Sequence, residues 1–230
     1  MKNEKSEKKQ WWMFFLSFGA FSTMWFFVFY LLNRQVNEAK EAIYFGTPIG
    51  AYWVYFLSAL IFGLTSWGIY FCTKEAYRKK SFQDFKVNAL GVFRLAWLPL
   101  LCTLPFLYLA TTNALLIKEE NMTFNPFWSF EKHEYTWEDG VKAIEISYSI
   151  TRQSNHQTNF NGNYILYLKD GKRINLWQDT LEGDVLAIQE IDRFFQKKNI
   201  PFHVTSVPSE EMITRYFSEN AEFIRDLYSR

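Results

Sequence analysis

The sequence is poor in the residues that chemistry usually requires. Two cysteines and three histidines occur in 230 residues. Cys72 and Cys102 both fall in or beside apolar segments, which excludes a disulfide-stapled secreted scaffold. Residues 113–230 hold no cysteine at all, so cysteine usage leaves the redox compartment open. His133, His156 and His203 are widely separated. His133-Glu134 begins like a zinc-protease helix, but that motif needs a second histidine at position 137, where Trp137 stands. There is no Gly-x-Ser-x-Gly elbow, no phosphate-cradling glycine loop and no Cys–His pair in the second half. These gaps argue against a catalytic centre, a resident cofactor or a bound metal. A basic face is missing too. Residues 113–230 carry 13 Lys/Arg against 18 Asp/Glu, a net of −5, which excludes nucleic acid as a partner.

What the chain has in excess is apolar length and aromatic rings. Trp11–Leu32 is a run of twenty-two residues without a charge. At about 1.5 Å of rise per residue such a helix covers roughly 30 Å, the thickness of a bilayer's hydrocarbon core. The run is apolar all round, unlike a one-sided core helix, and too long for a secretory signal. Two further runs follow, Ile49–Cys72 and Asn88–Thr111. In the second, Ala59 and Gly63 lie four residues apart, a spacing that lets helices approach closely. In the third, Pro99 and Pro105 should bend the helix, and Arg94 interrupts it. Arg94 either snorkels back to the nearer interface or acts as a buried cation inside the bundle. Trp11, Trp12, Tyr30, Tyr52 and Trp53 suit an interfacial girdle.

Orientation follows from charge. Residues 1–112 carry 12 Lys/Arg against 6 Asp/Glu, a net of +6. Nine of the basic residues lie in the tail Met1–Gln10 and the link Thr73–Val87. The positive-inside rule puts both in the cytoplasm, and three crossings then place residues 113–230 outside. The expected layout is a disordered cytoplasmic tail (1–10), a three-helix membrane region (11–112, spans 11–32, 49–72 and 88–111) and an extracytoplasmic domain (113–230).

The acidic half reads as α+β: an antiparallel meander followed by two helices. Met122–Tyr135 is aromatic and partly alternating. In Val141–Ile150, residues Ile144, Ile146, Tyr148 and Ile150 share one face. Asn155–Asn163 reads as a polar loop. Tyr164–Leu168 and Arg173–Trp177 flank a hairpin turn at Asp170-Gly171. A helix capped by Asp179 or Thr180 carries the stripe Leu181, Val185, Ile188, Ile191 and Phe195. Ile200–Val204 reads as an edge strand because of Pro201. A final helix spans Ser209 to Tyr228.

The run Tyr135-Thr-Trp-Glu-Asp139, the strand Val141–Tyr148, Tyr164–Lys172 and the helix after it resemble bacterial pleckstrin-homology-like domains attached to membrane spans. They are also similar to multi-pass membrane proteins of Gram-positive bacteria. The resemblance covers about residues 122–198. It implies seven strands closed by one helix, a binding or assembly role, and no ligand residues to carry over.

The expectation is therefore a membrane-anchored, non-enzymatic binding or assembly module. Its partners would be the bilayer and a protein partner or a second copy. The residues singled out for function are Arg94, Trp128, Trp137, Trp177 and His133. The three tryptophans are large enough to be core packing, and exposed together they would grip a lipid interface or a partner. His133 would need a distant histidine to hold a metal. The alternative is a subunit of a membrane-embedded transporter or enzyme using Arg94 in the third span.

Overall fold

The computed structural model describes residues 2–127, 130–137, 140–152, 158–180 and 184–230. Trp128, Glu138, Asp139, His156 and Leu181 lie outside the described residues. The chain divides into two compact units. One is residues 1–36 with 50–112, and the other is residues 37–49 with 113–230.

The first unit is three helices, each long and apolar enough to cross a membrane: α1 (Lys2–Val36), α2 (Ile49–Lys79) and α3 (Phe82–Thr112). All three exceed the apolar runs read from the sequence. The tail expected to be disordered continues α1 from Lys2, because Lys, Glu and Gln are good helix formers. At 31 residues, α2 and α3 are each about 46 Å long, half as long again as the hydrocarbon core. α3 runs unbroken through Pro99 and Pro105.

Small residues bring α1 and α2 together. Gly63 lies against Ser22 so closely that an added Cβ would meet both the serine hydroxyl and its backbone nitrogen. The Ser22 hydroxyl is buried and has no hydrogen-bond partner among the described residues. Deeper toward the basic end, Phe14 meets Trp67 edge to face at 4.6 Å. At the opposite end, α3 is capped from its neighbours. Its last carbonyls have no partner within the helix. Asn33 Nδ2 donates to the carbonyls of Ala110 (3.1 Å) and Thr111 (3.0 Å), and Tyr55 Oη donates to Ala110 (2.5 Å). The sequence placed Asn33 in a polar link; here it is fully buried in α1.

The second unit begins in that link. After a short 3-10 turn, β1 (Tyr44–Gly46) pairs antiparallel with β2 (Leu115–Ile117), the first strand after α3. With β3 (Asn121–Phe124) and β4 (His133–Thr136) they form an antiparallel sheet in the order β1-β2-β3-β4. A second sheet contains β5 (Val141–Arg152), β6 (Thr158–Leu168), β7 (Arg173–Asn175) and β8 (Phe202–Val204), in the order β7-β6-β5-β8. The single meander expected is thus two four-stranded sheets, and β8 joins β5 in parallel. Pro201 stands at the start of this edge strand, and its carbonyl accepts from Ile144 N–H at 2.8 Å.

Three helices complete the unit: α4 (Val185–Lys197), α5 (Glu210–Tyr216) and α6 (Ala221–Tyr228). The cap of α4 is Asp184, whose carboxylate accepts from Ala187 N–H at 2.8 Å. Neither Asp179 nor Thr180 caps it. Asp179 accepts from Asn175 N–H at 2.8 Å, and the Thr180 hydroxyl pairs with Tyr44 Oη at 2.5 Å. The long final helix is broken between Tyr216 and Ala221, where Asn220 N–H turns back to the Phe217 carbonyl. One core joins both sheets to the helices. Ile117, Met122, Ile144, Ile146, Tyr164 and Leu166 meet Ile188, Ile191, Phe195, Ile224 and Leu227 there.

Candidate binding surface

The second sheet has two unlike faces, set by strict alternation along β5 and β6. Ile144, Ile146, Tyr164, Leu166 and Leu168 point into the core and are almost fully buried. The residues between them point the other way, and none of them is buried. They pair across the strands as Ser147 with Asn163, Ser149 with Asn161 and Thr151 with Asn159. Three such rungs, two residues apart, span about 14 Å. Glu145 and Tyr167 continue the face on the same two strands, with Asn175 on β7 and His203 on β8.

Neighbours on this face hold one another. Asn161 Nδ2 donates to Thr151 Oγ1 at 2.8 Å, and Asn163 Nδ2 to Ser147 Oγ at 3.2 Å. Asn175 Nδ2 donates to Asn163 Oδ1 at 2.9 Å. Tyr167 Oη donates to Glu145 at 2.6 Å, which raises the phenol above its ordinary range. At one end of the rows, Ile165, Arg173, Asn175 and Asp179 line a shallow hollow of about 320 Å³. The three rungs carry short side chains that both donate and accept hydrogen bonds.

Gly162 makes this face compatible with the core side. A Cβ there would sit 2.6 Å from the Trp177 indole, so the strand accepts the ring only because residue 162 is glycine. Trp177 is half-buried, 6.2 Å from the Phe217 ring. Trp137 is buried elsewhere. Its Nε1 donates to the Glu119 carbonyl at 3.0 Å, and its ring lies 5.2 and 5.5 Å from Phe194 and Phe195. The two tryptophans therefore pack against different helices' neighbourhoods, and Trp128 lies outside the described residues. His133 is half-buried on β4, 6.4 Å from the Tyr135 ring. Arg94 is exposed on α3. Among the described residues, no group of three His, Cys, Asp or Glu is placed to hold a metal ion.

Two clusters of ionisable groups lie off this face, and both are wired for structure. At the hairpin turn, Tyr135 Oη donates to Asp170 at 2.8 Å, and Lys172 Nζ lies 3.3 Å from the same carboxylate. Burial raises the Tyr135 phenol, and the bond to Asp170 raises it further. Burial works to raise Asp170 and lower Lys172, but their mutual bonds outweigh it, so Asp170 is lowered and Lys172 raised. All three shifts hold each group in its resting charge state, the opposite of what an acid or base poised near neutrality needs. The second cluster centres on Asp192, 1% exposed, which accepts from Tyr164 (3.1 Å), Gln196 (2.8 Å) and Arg230 (3.0 Å). Burial drives the Tyr164 phenol well above its usual value. A buried carboxylate so fully satisfied ties α4, β6 and Arg230, two residues past α6, together.

Neither the sheet face nor its outward-pointing residues stand out in the sequence. The available signal was Asn159, Asn161 and Asn163 alternating with Phe160 and Tyr164, a strand pattern hidden by loop-like composition. Comparison with protein-family models, with curated proteins and with solved structures gives no match for the chain.

Proposed function

We propose that the protein is a membrane-anchored, non-enzymatic binding or assembly module whose working surface is the open face of the β7-β6-β5-β8 sheet. The observation that carries this reading is the pre-arranged row of Ser, Thr and Asn side chains on an uncovered sheet. Groups already held by their neighbours lose little freedom when a partner arrives. Their chemistry suits a hydroxyl- or amide-rich partner, such as an envelope glycan, over an acyl chain. The shifts of Tyr135, Asp170 and Lys172, each toward its resting charge state, support a role without catalysis.

The unit faces the extracytoplasmic side in this reading. The positive excess of the tail and of the α2–α3 link supports it. The pairing of β1 with β2 fits three crossings on either side, since two crossings by α2 and α3 return the chain to the side from which β1 came. A pleckstrin-homology-like relationship also gains support once β1 is counted. Seven strands, β1 to β7, then precede α4, the order that the resemblance implies, with β8, α5 and α6 as an extension.

A photoreactive residue placed at Asn161, in intact cells, should cross-link a discrete envelope partner, whereas one at the exposed Glu222 of α6 should not. Equal capture from both positions, or none from Asn161, would overturn the assignment of the face. The alternative role, as a subunit of a larger membrane assembly, has one observation in its favour. The most apolar eighteen-residue stretch of α3 has no buried residue, and Arg94 lies within the same helix. Loss of co-purifying membrane subunits in Arg94→Gln would support it.

A further inference from the structure

We infer that the basic end of the α1–α2 pair is a specific binding site for one anionic phospholipid. A cavity of about 430 Å³ opens between the two helices there. Its wall is apolar and aromatic: Met13, Phe14, Trp67 and Phe71. Its rim is charged: Lys74, Glu75 and Arg78. Wall and rim are segregated along the helix axis in the order that an amphiphile requires, acyl chain beside the rings and head group beside the cations.

Depth supports this order. The apolar run of α2 ends at Cys72, and Lys74 is the first charge after it. About twenty residues of helix fill the hydrocarbon core, so counting from Ile49 brings Trp67 and Tyr70 to the interface. Lys74 and Arg78 then lie one and two turns beyond, at head-group level. The edge-to-face packing of Phe14 on Trp67 and the stacking of Trp67 on Phe71 (5.8 Å) fix the wall before any lipid arrives.

Charge selects the head group. Glu75 is already engaged, by Arg78 at 2.9 Å and by Lys79 at 3.3 Å. Lys74 has no carboxylate within ion-pair distance among the described residues, and it is exposed. Two cations against one carboxylate leave the rim with a net positive charge, complementary to a phosphodiester and not to a zwitterion. The lysine presents a compact point charge and the arginine a planar fork, a combination suited to phosphate oxygens. A soluble phosphate ester would leave the aromatic wall uncovered, so the occupant is a lipid.

The test uses the full chain in detergent, titrated with phosphatidylglycerol or with phosphatidylcholine of the same acyl chains, and native mass spectrometry to count bound lipid. One phosphatidylglycerol should be retained in preference to phosphatidylcholine. Lys74→Gln and Arg78→Gln should each weaken that retention about fivefold, the effect of one basic residue near an anionic surface. The pair Lys80→Gln and Lys86→Gln, which removes the same charge outside the cavity, should leave it unchanged. Glycerol 3-phosphate should not displace the lipid. Equal retention of the two lipids, equal losses in the two pairs of variants, or displacement by glycerol 3-phosphate would each overturn the site.

Discussion

At the scale of single residues, packing decides more than charge. Gly63 is a point of close approach between α1 and α2, whereas Gly91 on α3 has nothing within 4 Å of the place a Cβ would take. Gly63→Ala is therefore expected to destabilise the helix bundle by about 1–3 kcal/mol, the usual range for overpacking. Gly91→Ala should be neutral or slightly stabilising, since alanine favours the helix. Thermal unfolding of the two variants in the same detergent checks the contrast. The Ala59/Gly63 spacing made this contact legible in the sequence, but its partner Ser22 was not, because one serine in an apolar run carries no pattern. A second residue-scale expectation concerns alkali. Burial raises the phenols of Tyr164 and Tyr228 above their ordinary value near 10. In the unfolded chain both ionise first, so folding stability is intact below about pH 10 and falls as pH rises beyond it, by up to about 1.4 kcal/mol per pH unit for each tyrosine. Tyr164→Phe with Tyr228→Phe should flatten that slope in denaturant titrations between pH 9 and about 12, even at the cost of the bond to Asp192. An unchanged slope would mean that the two phenols do not govern the alkaline limit.

At the scale of elements, the most informative departure from the sequence reading is β1. Tyr44, Phe45 and Gly46 sit in a short link between two apolar runs, and three residues are too few to show alternation. Their partner strand lies some seventy residues on, beyond two whole helices, and no local pattern announces such a pairing. Phe45 stands opposite Leu116. Directly opposed residues of an antiparallel pair are close enough for a disulfide. The double variant Phe45→Cys, Leu116→Cys, in a background without Cys72 and Cys102, should form an intramolecular disulfide on mild oxidation. Phe45→Cys with Thr136→Cys, two strands further across the sheet, should not. The β6 strand failed for a different reason. Asn159, Asn161 and Asn163 have the composition of a loop, and only their alternation with Phe160 and Tyr164 betrays a strand with one wet face. The stripe of α4 was legible from Val185 to Phe195, since amphipathic periodicity survives any tertiary context. Its cap was misassigned because Asp179, Thr180 and Asp184 are all good capping residues and only three-dimensional competition for the first two separates them.

At the scale of the whole molecule, two material classes are spliced twice. The chain leaves the apolar unit at residue 37, builds one strand of the polar unit, re-enters at residue 50, and leaves finally after residue 112. The split between an apolar, basic half and a patterned, acidic half was plain from composition. The shared ownership of the first link was not, because it depends on a long-range strand pair. That splice makes a strong statement about topology: residues 37–49 and 113–230 must share one side of the membrane. Single cysteines at Lys40 and at Asn161, in a background lacking Cys72 and Cys102, test it with an impermeant thiol reagent on intact cells. Labelling at both positions is expected, which would place the whole polar unit, and its open sheet face, outside the cytoplasm. Labelling at only one of the two would break the shared unit itself, and labelling at neither before lysis, with both after, would move the unit and its partner to the cytoplasm.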